Sequence, residues 1–273
     1  MSLANSELGK KSQYISEYDS TLLFPIPRKI KRDEIGVDDN NLPFYGVDIW
    51  NHYEVSWLNT NGKPEVAIVV IEVPANSPCI IESKSMKLYF NSFNNYKVAN
   101  IDLLNTIITQ DLSNAAGAKV NISILSLDTH LLNINKVDGV CLDSLDITVS
   151  EYTVNPNLLK TYDSKHVTEK LYSNLLKSNC LVTNQPDWAT IFIEYTGAQM
   201  DHESLLKYII SFRNHNEFHE QCVERIFTDI SKICNPNQLT VYARFTRRGG
   251  LDINPIRSSE KIDIYSNLRL IRQ

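Results

Sequence analysis

Hydrophobic and polar positions in the first half of the chain predict the element order ββααββ. Strand segments combine β-branched and aromatic residues or alternate apolar with polar positions, whereas helical segments repeat apolar residues every three to four positions. Asn61 and Gly62 separate the first two strands and can supply the positive φ angles of a tight hairpin turn. The predicted strands cover 49–59, 64–75, 118–128 and 141–150, and the predicted helices cover 82–93 and 100–112.

The second half of the chain repeats the ββααββ order with little sequence identity to the first half. Short echoes such as VIEV and FIEY, or TQDLS and TDIS, indicate an internal duplication. Pro255 is expected to limit the last strand to a sheet edge or a strand end, because proline cannot donate a backbone hydrogen bond. The predicted strands cover 166–180, 187–197, 237–245 and 251–256, and the predicted helices cover 201–212 and 219–233.

This repeat divides the chain into a leader and two modules. Residues 1–48 are rich in Ser, Asp, Asn, Lys and Pro and are expected to form an irregular leader packed on the domain surface. Residues 49–150 form the first predicted module, and residues 151–273 form the second. The fold class expected from this pattern is α+β.

Composition narrows the possible functions. The 273 residues are 42% apolar with a net charge of -5, which is typical of a globular protein and argues against a surface that wraps duplex nucleic acid. The absence of an apolar run of roughly 18–20 residues argues against a membrane span, so we expect a cytoplasmic protein. The five cysteines include no CxxC pair, which indicates neither a disulfide framework nor a thiolate zinc site. We therefore expect no metal site.

The stretch KSNCLVTNQPDW contains the first candidate for chemistry. Catalytic cysteines occupy polar, partly exposed settings, and KSNC around Cys180 is such a setting. Asp187 follows seven positions later and could protonate a bound group from a dry site. The alternative is a packing cysteine with a turn aspartate, and the residues by themselves leave both interpretations open.

Two predicted helix starts also carry polar candidates. His219 and Glu220 open the helix at 219–233, where a carboxylate could accept hydrogen bonds from a nucleobase edge and an imidazole could transfer protons. Glu82, Ser83 and Lys84 begin the helix that follows the strand PCIIE. Each set could equally consist of ordinary residues that complement the positive end of the helix dipole.

A basic glycine turn follows the strand at 237–245. In RFTRRGGLD, Arg248 and Gly249 could let a cation and the backbone approach a phosphate closely, although a surface hairpin turn explains them equally well. GxGxxG, Walker A, HExxH and GxSxG patterns are absent from the sequence. A nucleotide cofactor would therefore need an unconventional site.

Four motifs together, ESKSMKLYFNSF, KSNCLVTNQPDW, FHEQCVERIF and RRGGLDINP, resemble those of the NADPH-dependent 7-cyano-7-deazaguanine reductases, the nitrile reductases of queuosine biosynthesis. The resemblance runs from about residue 20 to the end and matches the long, two-module type of that family. It implies two tandem tunnelling-fold (T-fold) modules, each ββααββ with an antiparallel sheet and helices on one face. It also implies a homodimer.

The resemblance also implies roles for residues that match the motifs. Cys180 would add to the nitrile carbon to form a thioimide, Asp187 would donate a proton, and two NADPH would reduce 7-cyano-7-deazaguanine to 7-aminomethyl-7-deazaguanine. This small molecule would be the partner, with no direct nucleic-acid contact. The matched substrate-binding positions are Ile81, Glu82, Ser83, His219 and Glu220, and the matched NADPH positions are Ser83, Lys84, Arg248 and Gly249.

Two alternatives belong to other classes of protein. A cysteine hydrolase acting on a nitrile would release ammonia without a reductant, and would need a further glutamate and lysine to activate water. A T-fold purine- or pterin-binding protein would bind the ligand without using the thiol of Cys180. Consumption of NADPH and a covalent adduct on Cys180 distinguish the reductase from both.

Overall fold

The computed structural model describes residues 14–129, 133–262 and 266–273, and Asp163 only by its backbone. Residues 1–13 of the predicted leader lie outside this range. The chain forms two compact units, each built from segments that are distant in sequence. Unit 1 consists of Met1–Ile30, Asp48–Asn133 and Arg247–Ile253, and unit 2 consists of Lys31–Val47, Ile134–Thr246 and Asn254–Gln273.

The sheet of unit 1 is built on the predicted hairpin. Its strand order is β5, β3, β2 and the first residues of β10, and a separate two-stranded sheet pairs β1 with β4. In the hairpin turn Gly62 has a φ of 79°, and the side chain of Asn59 accepts hydrogen bonds from two turn amides. The strands are β1 (Pro25–Pro27), β2 (Tyr45–Leu58), β3 (Pro64–Pro74), β4 (Cys79–Ile81) and β5 (Asn121–Leu125).

Two helices cover the core of unit 1. Helix α2 (Ser83–Ser92) and helix α3 (Ile101–Ala116) bury apolar side chains at the predicted helical spacing. Both helices pack into one hydrophobic cluster with β2 and β3, which places them on the same face of the sheet. Tyr89 of α2 donates to Asp111 of α3 at 2.8 Å, and Tyr18 of the leader donates to the same carboxylate at 2.6 Å.

Unit 2 has the strand order β10, β9, β8, β7, β6, and the first residues of β2 lie on the other side of β10. The long hairpin of β7 and β8 is antiparallel, β8 pairs antiparallel with β9, and β9 pairs antiparallel with β10. Its two longer helices are α4 (His202–Ser211) and α5 (His219–Cys234). The strands are β6 (Val140–Cys141), β7 (Thr161–Asn179), β8 (Pro186–Met200), β9 (Gln238–Phe245) and β10 (Leu251–Ser258).

The leader contains a short helix, α1 (Lys29–Ile35), which the sequence did not predict. Its buried Arg32 forms a two-point ion pair with Glu224 of α5, at 2.9 and 2.7 Å. Arg257 of β10 donates to the same carboxylate at 2.8 Å, and the ring of Phe44 lies within 5.6 Å of both guanidinium groups. This ionic cluster fixes the second part of the leader to unit 2.

The α+β class is confirmed, and the second half shows the predicted ββααββ order with antiparallel pairing. This architecture fits tandem T-fold modules. The division at residues 48 and 150 stays a prediction, because the compact units group the chain by packing rather than by duplication.

The strand expected over 141–150 is wrong. Only Val140–Cys141 pairs, in parallel with β7, and a 3-10 turn follows at Leu142–Ser144. The carboxylate of Asp143 accepts hydrogen bonds from Ser173 and from the backbone of Asn174, and these contacts hold the turn against β7. In unit 1 the place next to β2 is taken by the start of β10.

The edge position expected from Pro255 is also wrong. In unit 2 the end of β10 lies between β9 and the first residues of β2. The side chain of Asn254 accepts the hydrogen bond of the Phe245 amide at 3.1 Å next to the proline. A side chain at Gly46 would come within 2.0 Å of the Ile256 carbonyl, so glycine allows the two backbones to approach.

Candidate active site

The stretch around Cys180 forms the turn between β7 and β8, as the sequence predicted. The Cys180 amide donates to the Gln185 carbonyl at 2.8 Å, and the Asn184 amide donates to the Cys180 carbonyl at 3.0 Å. Asn184 adopts a left-handed conformation with a φ of 57°, which asparagine tolerates better than most residues. The turn is therefore closed on both sides of the cysteine.

Asp187 lies on the buried face of this hairpin. It pairs across the strands with Ser178, and the next residues on the same face, Leu176 and Ala189, are also paired and buried. Cys180 follows Ser178 by two positions, one side-chain repeat further along the chain. The side chains of Cys180 and Asp187 are each only 5% exposed, so the partly exposed setting expected for Cys180 is not found.

His219, the first residue of α5, lies beside Asp187. Its Nε2 atom is 3.4 Å from the Oδ2 atom of Asp187. Its ring stacks on Phe245 of β9, with centroids 3.8 Å apart and planes 5° apart. Stacking leaves the imidazole edge facing the carboxylate, where it can exchange a proton with it.

The segment before α5 is bonded to the cysteine turn. The Asn179 amide donates to the His215 carbonyl at 2.8 Å, and the Glu217 amide donates to the Asn179 carbonyl at 3.0 Å. The side chain of Asn216 donates to the Cys180 carbonyl at 3.2 Å and to Asn184 at 3.0 Å. Cys180 and the start of α5 are thus held in one hydrogen-bonded unit.

Glu217 connects the segment before α5 to the helix itself. Burial raises the pKa of its carboxyl group, but hydrogen bonds from His215 and Arg225 outweigh that effect and the pKa is lowered. Arg225 approaches it with two nitrogens at 3.1 and 3.0 Å. Glu220, three positions further on, is buried in the first turn of α5, where the helix dipole favours a negative charge.

In unit 1, Glu82 is the N-cap of α2. Its carboxylate accepts hydrogen bonds from the amides of Lys84 and Ser85 at 2.5 and 2.7 Å, one on each oxygen. Burial raises its pKa even though these two amides oppose the effect. Each oxygen keeps a second lone pair with which it can accept from a ligand. Ile81 precedes it at the end of β4 and is buried.

The basic turn that contains Arg248 and Gly249 is also in unit 1. The Arg248 amide donates to the Leu251 carbonyl at 2.9 Å, which closes the turn. Gly249 and Gly250 have φ values of 63° and 79°. A side chain at Gly249 would come within 2.9 Å of the Lys87 ammonium, so the glycine leaves room for this cation beside the turn.

Two contacts from β2 position this turn. The Tyr53 amide donates to the Gly250 carbonyl at 2.8 Å, and the Arg247 guanidinium lies 4.4 Å from the centre of the Tyr53 ring. The carboxylate of Glu54 lies where a side chain at Gly250 would have to be, at 2.3 Å. Both glycines therefore accommodate neighbouring charged side chains.

Sequence comparison relates the whole chain to known proteins. The family described as nitrile reductase, 7-cyano-7-deazaguanine-reductase N-term matches residues 14–124, and the family described as QueF-like protein matches residues 186–263. A curated relative in Legionella pneumophila (strain Lens), named NADPH-dependent 7-cyano-7-deazaguanine reductase, is 56% identical over 98% of this chain and 95% of its own. The chain belongs to the NADPH-dependent 7-cyano-7-deazaguanine reductase family.

Other members of the reductase family are similarly close. Relatives with the same name in Dechloromonas aromatica (strain RCB) and Cupriavidus metallidurans are 55% and 54% identical, each over 98% of this chain, and cover 95% and 98% of their own lengths. A crystal structure described as the archaeosine synthase QueF-Like in the apo form covers 38% of this chain and 99% of its own, at 20% identity and a TM-score of 0.32. The family assignment rests on the curated relatives.

The structure of this reductase-family chain places the predicted site residues in two groups. In unit 2 it brings Asp187 and His219 together and ties the turn of Cys180 to the segment that begins α5. In unit 1 it places Glu82 at the start of α2 and closes the basic turn. The unit 2 group consists of Cys180, Asp187, His219 and Glu220, and the unit 1 group consists of Ile81, Glu82, Ser83, Lys84, Arg248 and Gly249.

Three further residues at these places were missed from the sequence. Asn216 contacts Cys180, 36 positions earlier, and Glu217 contacts Arg225, eight positions later, so the residue types alone carry no signal. Lys87 stands four positions after Ser83 in the motif ESKSMK, so its helical spacing could have placed it on the same side of α2. The structure places its ammonium beside Gly249.

The residues of unit 1 fit a phosphate-bearing cofactor such as NADPH. A glycine turn with positive φ angles exposes its backbone, and a lysine ammonium lies next to it. Within residues 14–129, 133–262 and 266–273, no group of three or more His, Cys, Asp or Glu side chains is placed to hold a metal ion. No helix in those same ranges is both long and apolar enough to span a membrane.

Proposed function

We propose that this chain reduces the nitrile of 7-cyano-7-deazaguanine to the primary amine of 7-aminomethyl-7-deazaguanine, in queuosine biosynthesis. NADPH is the reductant, and two equivalents are used for each nitrile. The proposal agrees with the names of relatives that are 54–56% identical over nearly the whole chain. Cys180 is the proposed nucleophile and Asp187 the proposed proton donor.

The contact of Asp187 with His219 carries the assignment of roles. A packing aspartate in a turn would face solvent, whereas this carboxylate is buried on the face of the hairpin that leads to Cys180. An imidazole nitrogen lies 3.4 Å from it. A buried carboxyl group with an adjacent imidazole can hold a proton and be supplied with another, as a general acid requires.

The proposed first step joins the thiol to the nitrile. The sulfur of Cys180 forms a bond to the nitrile carbon, one π bond of the C≡N group breaks, and the nitrogen takes a proton from Asp187. The S–H bond of Cys180 breaks in the same step, and its proton replaces the one that Asp187 gives up. The product is a thioimide on Cys180. A nitrile is a weak electrophile, so a soft sulfur nucleophile and simultaneous protonation of the nitrogen both favour this addition.

The remaining steps return the thiol. NADPH, when bound, supplies one hydride to the carbon in each of two successive binding events. After the first reduction the carbon–sulfur bond breaks and Cys180 leaves, which produces an imine that is reduced to the amine. His219 and Asp187 exchange the protons that the nitrogen needs, and burial of Cys180 and Asp187 keeps water from hydrolysing the imine.

Substrate recognition is assigned to the two helix starts. We propose that Glu220 accepts hydrogen bonds from the N–H edge of the deazaguanine ring, with Ile81, Glu82, Ser83 and His219 as further contacts. A buried carboxylate near a helix N-terminus is stabilised as the anion that such an edge requires. We propose that Ser83, Lys84, Arg248 and Gly249 hold NADPH.

A direct assay tests the proposed function. The full-length protein is incubated with 7-cyano-7-deazaguanine and NADPH, and the nicotinamide absorbance is followed. We expect two NADPH oxidised for each amine formed. Release of ammonia without oxidation of NADPH would instead support the cysteine hydrolase, and binding without either product would support a purine-binding protein.

Matched variants test the two catalytic roles. Cys180→Ala should abolish both turnover and the covalent adduct seen by intact mass, while Cys141→Ala, at a half-buried cysteine outside the group, should retain both. Asp187→Asn should slow adduct formation by about 10²- to 10⁴-fold. Asp138→Asn, at an exposed carboxylate, is its control. Full adduct formation by Cys180→Ala would disprove the nucleophile.

We also propose that the chain acts in the cytoplasm as a homodimer. Strand β5 is an edge of the sheet in unit 1 over the described residues, and an unpaired edge favours pairing with a second copy. Light scattering after size exclusion tests the assembly, with a mass of twice 31.2 kDa expected. A monomeric mass at micromolar concentration would contradict it.

A further inference from the structure

Unit 1 contains a cavity that the proposed catalytic roles do not use. Its volume is about 630 Å³, which is in the usual range for small-ligand sites. The residues that surround it belong to β2, β3, α2, the loop after α2 and the basic turn, with Tyr14 and Leu127 among them. Its polar lining comes from His52, Glu54, Ser56, Lys87, Asn91 and Asn94, together with Gly249.

His52 carries the strongest indication of a ligand. It is 3% exposed, and its Nε2 atom has no hydrogen-bond partner among the described residues. Its other ring nitrogen, Nδ1, accepts from the Glu54 amide at 3.4 Å, which assigns the ring proton to Nε2. A buried N–H donor without an acceptor is costly, so its retention beside a cavity indicates an acceptor that arrives with a ligand.

The charge state of His52 agrees with this role. Burial, and then the nearby Lys87 ammonium, lowers its pKa to about 3, so the ring is neutral at physiological pH. The ring also packs on Phe90 at 4.4 Å between centroids, which fixes its orientation. The donor is therefore held in place before any ligand binds.

The other lining groups define the chemistry of that ligand. Lys87 provides a positive charge and His52 a neutral donor, both suited to phosphate oxygens. Glu54 provides a carboxylate, which accepts from hydroxyl groups. A sugar that bears one phosphate and a free hydroxyl group matches this combination. Gly249, a proposed NADPH residue, borders the same cavity.

We propose that this cavity binds the 2′-phosphorylated adenosine ribose of NADPH, with the Nε2–H of His52 donating to a phosphate oxygen. The inference rests on the proposed function for the identity of the cofactor. Lys87 neutralises the phosphate, and Glu54 accepts from the ribose 3′-hydroxyl. The site would thereby distinguish NADPH from NADH, whose ribose lacks the phosphate.

Calorimetric titration of the full-length protein with adenosine 2′,5′-bisphosphate tests the proposal. In His52→Leu, which keeps the volume and removes the donor, we expect the dissociation constant to rise by about tenfold, which corresponds to one lost hydrogen bond to a charged group. For adenosine 5′-monophosphate, which lacks the 2′-phosphate, the dissociation constants of His52→Leu and of the wild type should agree within about twofold. Val66→Ala, which changes an apolar residue lining the same cavity, is the control.

A stability measurement separates this role from a packing role. His52→Leu removes a buried, unpartnered donor, so the melting temperature of the ligand-free protein should rise while affinity for the bisphosphate falls. Ser56→Ala is a second variant at the cavity, for use if His52→Leu does not fold. Equal affinity of wild type and His52→Leu for the bisphosphate would overturn the proposal. The proposal would also be overturned if His52→Leu lost the same affinity for adenosine 5′-monophosphate as for the bisphosphate.

The catalytic assay is read separately. His52→Leu should raise the KM for NADPH, while the covalent adduct on Cys180, whose formation needs no NADPH, should still be seen by intact mass. If the wild-type protein shows no reductase activity, the proposed function is overturned. The nucleotide titration then still tests the cavity.

Discussion

The Nε2 atom of His219 lies 3.4 Å from the Oδ2 atom of Asp187, on the buried face of the hairpin that carries Cys180. The carboxylate comes from the start of one strand and the imidazole from the start of a helix 32 residues later. Their proximity connects the acid proposed for the nitrile nitrogen to a group that can replace its proton.

His219→Phe tests whether the imidazole contributes chemistry or only packing. The variant keeps a ring that can stack on Phe245 but removes both nitrogens, so adduct formation at Cys180 should slow by about 10- to 100-fold at unchanged melting temperature. His219→Leu removes the stacking as well and should also lower the melting temperature. Equal adduct rates in wild type and His219→Phe, measured by stopped flow, would restrict His219 to packing.

Gly250→Ala tests the basic turn, with Gly62→Ala as its control. Both glycines have a φ of 79°, so each substitution has a similar backbone cost of about 1–2 kcal/mol. At Gly62 the nearest atom would be 3.9 Å from the new side chain, whereas at Gly250 the Glu54 carboxylate would be 2.3 Å away. We expect only Gly250→Ala to raise the KM for NADPH, and neither to change the covalent adduct. A raised KM in both variants would point to backbone strain alone.

Glu224→Gln tests the ionic cluster that holds the leader. Removing the charge of the shared carboxylate takes one counter-charge from the buried Arg32 and Arg257, while Arg32 keeps its ion pair with Asp39. This change should lower the free energy of unfolding by about 3–5 kcal/mol. Glu34→Gln, at a half-exposed ion pair with Lys31, should change it by less than about 1 kcal/mol. Urea unfolding measures both, and equal midpoints for the two variants would disprove the importance of the cluster.

The pH dependence of stability follows from His52. Its pKa is lowered to about 3 in the folded protein and is near 6.5 when unfolded, so between these values the unfolded chain binds more protons. Stability should therefore fall as the pH drops through this window, with a slope from this group of up to about 1.4 kcal/mol per pH unit. Urea midpoints at several pH values should show a shallower acid loss in His52→Leu. Parallel pH curves would contradict the assignment.

Asn216→Ala tests the link between the cysteine turn and α5. The Asn216 side chain donates to the Cys180 carbonyl and to Asn184, so its loss should loosen the turn by about 1–2 kcal/mol. We expect slower adduct formation and faster alkylation of Cys180 by iodoacetamide, because the thiol becomes more accessible. Asn157→Ala, at an exposed turn, should alter neither rate. Unchanged alkylation in Asn216→Ala would show that other bonds hold the turn.

Local sequence patterns predicted most elements because those elements depend on short-range spacing. Apolar residues at helical spacing predicted α2 to α5, and the placement of Cys180 between two β-rich runs predicted its hairpin turn. The same reasoning failed at 141–150, where the alternation was real but pairing with β7 ends at Cys141 and the chain turns at Asp143, whose carboxylate binds β7. It also failed at Pro255, where the Asn254 side chain replaces a backbone partner.

The sequence predicted which residues form the candidate site but not how they are arranged in space. The four motifs identified the residues, but the Cys180 turn is held by Asn216 and by backbone bonds between Asn179 and residues 215–217, which a local pattern cannot reveal. The role of Arg32 depends on a carboxylate 192 positions away. Nothing in the sequence distinguished His52 from the other residues of its strand. Its significance depends on the Nε2 atom, which has no hydrogen-bond partner among the described residues.

The pairing of Arg32 with Glu224 has a consequence for folding during synthesis. At roughly 5–20 residues per second, a ribosome needs about 10–40 s to make the chain that separates the two residues. Helix α1 leaves the ribosome early but cannot settle until α5 and β10 have followed it. A segment that is made early, helix α1, is therefore among the last to reach its final position.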